Sequence, residues 1–552
     1  MPISHFAVSF VCIGLPWLSP LAFGPSSAVA PWLVSLACVA CFTFYTTTLA
    51  LAGRLSRPLL YFVSLVGLVF LLLSLRLALS IEVAATVVAW CCIATMAWVG
   101  SRLASNTNCV MLLAKTWLLV ALLSCIFAML QYLSLAHWWA PWISASHDGV
   151  AYANLRQRNQ FATLCGMGFV CIVYLRQAVP LPAYNTGSSR VVPMGWHGLA
   201  LAILAVGNGL SSSRTGALQW VLIVAAVVCW RTSLRTDVRR LAYAALGMYA
   251  LVVAALPWFA QWVGNGSAGL WGRAQEASVA GGGRMALYSN VLELIAQKPW
   301  FGWGWRELAY AHYSTHFDVR FVELLDNAHN LPLHLAVELG VPFALLFCAA
   351  IVWWVVRSVP WREANPMRQL AWAILMLLAV HSMVEYPLWY GSFMMALGLS
   401  LGLLQRFKFI SNTQNNTVFT AQTAMKFVAC ALLACAAYLA FDYHRTSQIY
   451  LDEEKRSAGY RHDVLGAAQR SVVFSKHAQF AELVTTPVNA QTAARQLDLA
   501  LKLVHYSPEP RVIEPLIESA TMLHFDDIAM FHLARYKAVY PKDYAAWSAI
   551  KK

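Results

Sequence analysis

Apolar residues in this chain come in runs of about bilayer length, and polar residues gather in the gaps between them. A helix crossing the hydrocarbon core needs about 20 mostly apolar residues. That ruler predicts spans at 5–22, 30–52, 58–76, 80–100, 110–134, 159–176, 195–211, 215–231, 240–262, 331–356, 368–385, 389–405 and 425–442. The expected fold is an all-α polytopic membrane protein of about 12–13 transmembrane helices. The stretch from His5 has no basic residues before it and no convincing cleavage site, so it reads as a retained helix.

The gaps carry the orientation. Arg54 and Arg57, Arg102, Arg176 and Arg190, the cluster Arg231, Arg235, Arg239 and Arg240, then Arg357, Arg362 and Arg368, and finally Arg406 and Lys408 fall on alternate connections. Cytoplasmic loops are the basic ones. The other side then holds 135–158, the turn from Ser211 to Thr215, a large loop at 263–330, the turn from Glu385 to Pro387 and the tail from about 443. Gly264, Gly266, Gly269, Gly272 and Gly281 to Gly283 lie in the large loop among Trp271, Trp300, Trp303 and Trp305. Flexible backbone beside interfacial aromatics suggests a lid on the membrane surface.

Past 442 the pattern changes. Thr492 to Val504 and Ile513 to Leu523 space apolar residues by three and four, and Ala534 to Tyr540 stops at Pro541. The expected organisation is a transmembrane domain at 1–442 and a soluble, helical, periplasmic domain at 443–552.

Composition agrees with that division. Of 552 residues, 59% are hydrophobic and 12% charged, a balance that places the chain in a bilayer. Of the formal charge of +14, all but +2 lies in residues 1–442, so membrane lipids and an anionic substrate are the natural partners. The 13 cysteines fall between Cys12 and Cys435, in or beside apolar segments, which predicts no disulfide staple and no cysteine metal site.

Four outer-face residues depart from the charge bias and flank helix ends: Arg158, Arg214, Arg284 and His329. A guanidinium stays charged and offers a planar fork of donors, which suits a pyrophosphate. The bland alternative is that each arginine reaches a lipid headgroup or a structural partner. His329 precedes an expected helix start, where an imidazole can take a proton from an attacking hydroxyl; otherwise it caps that helix together with Asn330. Glu323, Asp326 and His329, spaced by three, would share a helical face as a metal site, but no recognised ligand pattern accompanies them. His381 and Glu385 stand one helical turn apart at an outer boundary and are expected to pair, chemically or as architecture. Phosphate-binding loops and nucleophile elbows are missing, and the basic clusters sit at membrane boundaries. ATP hydrolysis, serine hydrolysis and nucleic-acid binding are therefore unsupported.

Several segments together resemble the bacterial O-oligosaccharyltransferases, the protein glycosylation ligases of the O-antigen ligase and polymerase superfamily. They are Leu155-Arg156-Gln157-Arg158-Asn159-Gln160-Phe161-Ala162-Thr163, Ser212-Ser213-Arg214-Thr215-Gly216, Asn327-Ala328-His329-Asn330 running into Glu338-Leu339-Gly340, and the stretch from His381 to Tyr390. Glu385-Tyr386-Pro387-Leu388-Trp389-Tyr390 favours the protein-glycosylating branch. The resemblance spans most of 150–405.

It implies transfer, without metal, nucleotide or other cofactor, of a whole oligosaccharide from undecaprenyl pyrophosphate to a serine or threonine of pilin or another periplasmic protein. It places the enzyme in the bacterial inner membrane with its site on the periplasmic side. His329 matches the family's essential histidine. Arg214 and Arg284 look like its pyrophosphate-binding arginines, and Arg158 and Asn159 match its first-loop motif. These four and Asn330 are the expected donor-binding residues, with His381, Glu385 and Tyr386 as further members. Direct attack would invert the anomeric centre. Two other readings stand beside this one: an O-antigen ligase or glycan polymerase, against which the 385–390 segment and the charged tail argue, and a transporter of an anionic substrate, for which matching halves are not seen.

Overall fold

The computed structural model describes residues 3–21, 26–49, 51, 81–146, 149–178, 195–264, 283–405 and 415–550. Among them every regular element is helical. The apolar helices are α1 (Ile3–Leu18), α2 (Val29–Thr48), α3 (Ile81–Leu103), α4 (Thr107–Tyr132), α5 (Arg158–Ala178), α6 (Gly195–Leu210), α7 (Arg214–Cys229) and α8 (Thr236–Val263). After the large loop come α12 (Val341–Ser358), α13 (Pro366–Ser382), α14 (Gly391–Leu403) and α15 (Asn415–Ser447). By length and composition 7 of the described helices can cross a membrane, in α2, α3, α4, α5, α8, α12 and α15. The span expected at 58–76 lies outside the described residues. The chain is an all-α polytopic membrane protein.

The shorter helices are held by close backbone packing. At Gly402 of α14 an added Cβ would lie 2.2 Å from the Ala97 carbonyl of α3, and at Gly100 of α3 it would lie 2.3 Å from the Leu399 carbonyl. Small residues let the two backbones touch where lipid offers no hydrophobic drive for helices to associate. A buried polar knot ties three other helices together. Thr163 of α5 donates to Gln219 of α7 and lies 3.0 Å from His381 Nδ1 of α13, while Gln219 donates to the Leu377 carbonyl at 3.0 Å.

One expected span is corrected. Residues 331–356 are two helices, a nine-residue α11 (Leu331–Leu339) and then α12. Gly340 between them has φ +91°, and Pro342 in the first turn of α12 supplies no N–H to continue the preceding helix. The break receives another segment: Trp303 N donates to the Val337 carbonyl, Gly304 N to the Glu338 carbonyl, and Val341 N to the Pro299 carbonyl, at 2.8 to 3.0 Å.

The described part of the large loop, 283–330, has its own apolar core. Leu287, Val291 and Leu294 of α9 (Gly283–Gln297) pack with Leu308 and Ala311 of α10 (Leu308–Ser314) and with Phe317, Leu325, Ala328 and Val337. The glycine-rich part at 265–282 lies outside the described residues. Trp300 and Phe301 remain 72% and 89% exposed, as interfacial aromatics do.

Helix α15 runs to Ser447, beyond the expected end at 442. The tail follows as α16 (Val464–Gln469), α17 (Ser475–Thr485), α18 (Ala493–Leu503), α19 (Pro510–Met522), α20 (Asp526–Val539) and α21 (Pro541–Ile550). Its core of Leu499, Leu503, Val512, Ile513, Leu516 and Tyr536 also contains Tyr313 from the large loop. His505 Nδ1 lies 2.7 Å from Glu307, and Tyr313 Oη lies 2.9 Å from His532 Nδ1, so the tail is seated on the loop that leads toward His329.

Candidate active site

Four helices begin at one place. The first turns of α5, α7 and α9 carry Asn159, Arg214 and Arg284, and the loop entering α11 carries His329 and Asn330. A helix start presents unpaired N–H groups and a positive dipole end, which favour negative charge nearby. A carboxylate placed there is Glu385, in the turn between α13 and α14. Its side chain is 12% exposed.

Three groups converge on that carboxylate. His329 Nδ1 lies 2.8 Å from Oε2, Asn159 Nδ2 donates to Oε1 at 3.0 Å, and an Arg284 Nη lies 3.5 Å from the same Oε1. Burial pushes the Glu385 carboxyl up, but the hydrogen bond and charge of His329 and the charge of Arg284 outweigh it and hold the group below its ordinary range. An ionised carboxylate only accepts, so Nδ1 of His329 carries the hydrogen in that contact, and in the neutral form of the ring the lone pair lies on Nε2. The imidazole is 27% exposed and meets Tyr386 edge-on, with ring centroids 5.1 Å apart.

The local backbone sets this aim. His329 has φ +50°, a left-handed conformation uncommon for a residue with a side chain. Buried Asn327 stabilises it by accepting from His329 N at 2.8 Å. Asn330 then caps α11 by accepting from Leu333 N at 3.1 Å, and its amide donates to the Met383 carbonyl at 2.9 Å. Asn330 therefore ties the start of α11, next to His329, to the turn that carries Glu385.

Arg214 is exposed in the first turn of α7, after the cap Ser213, and Arg158 begins α5 next to Asn159. Tyr386 lies within the site, its hydroxyl pushed up by burial and then by Tyr390, Asp326 and Glu385. Two expectations are corrected. His381 does not hydrogen-bond to the Glu385 side chain: α13 ends at Ser382, the chain turns, and the imidazole points inward to Thr163 while Glu385 faces His329. Residues 323–329 form no helix, so Glu323, Asp326 and His329 do not stack on one face as the metal reading required.

Residues not singled out in the sequence support the site. Arg306, exposed and with φ +68°, lies over the Trp389 ring at 4.5 Å, and Trp389 lies 5.3 Å from Tyr386. Arg306 N donates to Glu338 at 3.0 Å. Burial pushes Glu338 up to about 8 and its neighbour His334 down to about 3, each toward its neutral form, across a 3.6 Å contact. The only signal for Arg306 was its place after Gly302 and Gly304 in a tryptophan-rich run.

Known proteins match the same segments in the same order. Residues 151–175 match the protein glycosylation ligase model, 199–348 the O-antigen ligase model, and 369–552 the C-terminal model of virulence factor membrane-bound polymerases. A general O-oligosaccharyltransferase of Acinetobacter baylyi is 29% identical over 297 residues, covering 52% of this chain and 49% of that protein. A ComP-specific O-oligosaccharyltransferase of the same organism is 22% identical over 311 residues, covering 56% of this chain and 54% of that protein. The matched region thus spans about half the length of these curated relatives. With the all-helical membrane fold and ordered motif segments already described, these matches make the chain similar, over separate parts of its length, to O-antigen ligases and protein glycosylation ligases.

Proposed function

We propose that the protein is a metal-independent glycosyltransferase of the bacterial inner membrane. It moves an oligosaccharide as one piece from undecaprenyl pyrophosphate to a serine or threonine hydroxyl of a protein on the periplasmic side. The observation that carries the reading is the His329–Glu385 pair at 2.8 Å, set among arginines where several helices start. The names of the two relatives, both protein-directed, support the choice of acceptor.

The residues supply what the reaction needs. The acceptor hydroxyl loses its proton to Nε2 of His329 as its oxygen bonds to the anomeric carbon. The bond from that carbon to the pyrophosphate oxygen breaks, and the pyrophosphate leaves with the electron pair. Glu385 holds the imidazole in the tautomer with Nε2 free and stabilises the imidazolium that forms. Arg214 and Arg284, with Arg158, meet the growing charge on the leaving group, and Tyr386 walls the ring. Attack from the face opposite the leaving group inverts the anomeric configuration.

A second reading keeps the site and changes the acceptor, because the polymerase and O-antigen ligase models match 369–552 and 199–348. Expression in a bacterium that makes a lipid-linked glycan but lacks protein O-glycosylation separates the two. A glycan mass on serine- or threonine-containing periplasmic peptides supports transfer to protein. Glycan on lipid A core or longer glycan chains, with unmodified protein, would overturn it.

A further inference from the structure

Asn159 has no free end. Its amide nitrogen donates to Glu385 Oε1 at 3.0 Å, and its amide oxygen accepts from Ser213 Oγ at 2.7 Å. Ser213, itself 1% exposed, accepts from Gly216 N at 3.0 Å as the cap of α7. One line of hydrogen bonds therefore runs from the helix start carrying Arg214, through Ser213 and Asn159, to Glu385 and His329. It joins α7, α5, the turn after α13 and the loop before α11, four elements distant in sequence.

We infer that Asn159 and Ser213 are positioning residues that fix the Glu385 carboxylate, and through it the His329 imidazole, relative to Arg214, instead of contacting the donor. The inference rests on the proposed role of His329. A carboxylate on a two-carbon stem has several rotamers, and His329 at Oε2 constrains one oxygen only. Arg284, at 3.5 Å and with a 46% exposed side chain, is a loose second restraint on Oε1. The Asn159 amide supplies the close one, and Ser213 fixes which way that amide faces. Misplacing a catalytic group by about 1 Å costs about 100-fold in rate.

The charged and titratable groups around His329 are Glu385 and Tyr386 from the turn, Asp326 on its own loop, Arg284 on α9, Arg306 on the preceding loop, and His334 on α11. His381 of α13 also acts on Glu385. Asn159 adds no charge to this set. Its influence is geometric and dipolar, so removing it changes the chemistry of His329 without removing a donor-binding charge.

The test uses the full chain in nanodiscs, comparing the native protein with Asn159→Ala and Ser213→Gly. Glycine is well tolerated at a helix cap, so the second variant removes the hydroxyl with little effect on α7. Two readouts are taken. The first is transfer from undecaprenyl-pyrophosphate-linked N-acetylglucosamine to a serine peptide. The second is the rate of carbethoxylation of His329 by diethyl pyrocarbonate at pH 7, followed by mass spectrometry without any substrate.

Asn159→Ala is expected to lower kcat by about 10- to 100-fold with donor KM within about twofold, and to change the His329 carbethoxylation rate by about threefold or more. Ser213→Gly is expected to do the same to a smaller degree. Unchanged carbethoxylation in a folded Asn159→Ala protein, or a loss confined to donor KM, would overturn the inference. Failure of the proposed function shows differently: His329→Ala would transfer as well as the native chain, whatever Asn159→Ala does to His329 reactivity.

Discussion

At the scale of single residues the account turns on Glu385, whose carboxylate gathers His329, Asn159 and Arg284. Replacing it by glutamine keeps the shape and removes the charge that the proposed mechanism uses to stabilise the imidazolium. Glu385→Gln is expected to lower initial transfer rates by about 100-fold or more at neutral pH, the size of a lost general-base function, while the protein still unfolds cooperatively. Because the folded carboxyl lies below its ordinary value of 4.5, its contribution to stability is present above that value and disappears as pH falls through the folded one. The sequence made His329, Arg284, Asn159 and Glu385 visible as candidates, since polar residues at helix ends in a membrane protein need a reason. It paired Glu385 with the wrong histidine. Spacing by four assumes a continuing helix, and α13 stops at Ser382.

At the scale of elements the decisive feature is the break between α11 and α12. Hydropathy read 331–356 as one span because both sides are apolar, whereas Gly340 and Pro342 divide it and let residues 299–304 pair with the gap. An added Cβ at Gly340 would sit 2.2 Å from the Trp300 carbonyl, on a backbone at φ +91°. Gly340→Ala is therefore expected to destabilise the protein by roughly 1–3 kcal/mol, visible as a lower thermal midpoint in detergent. Glu338, buried in the same crossing, provides a pH test. Its folded value is raised from 4.5 to about 8, so its favourable contribution is complete below 4.5 and is lost as pH rises toward 8. Glu338→Gln keeps an acceptor for Arg306 N and is expected to hold its thermal midpoint from pH 5 to 8.5 while the native midpoint declines. Parallel curves would contradict that reading.

At the scale of the whole molecule, hydropathy located most of the described apolar helices to within about a turn, α15 and the divided 331–356 segment excepted, because the need for about 20 apolar residues is imposed by the bilayer and not by tertiary contacts. The seating of the tail on the large loop was not legible. It depends on Glu307 meeting His505 and Tyr313 meeting His532 across about 200 residues of chain, and no periodicity records such a meeting. His329, Glu385 and Arg284 meet where helices start, the tail packs on the loop that leads toward His329, and the proposed function is transfer of glycan to protein at this site. Its most direct test is transfer by the purified full chain from an undecaprenyl-pyrophosphate-linked glycan to a pilin-like acceptor, with chelator present, beside His329→Ala. The native chain is expected to yield glycosylated acceptor, and the variant none above background. Equal product from both, or no protein product from a native chain that elongates glycan or glycosylates lipid A core, would contradict it.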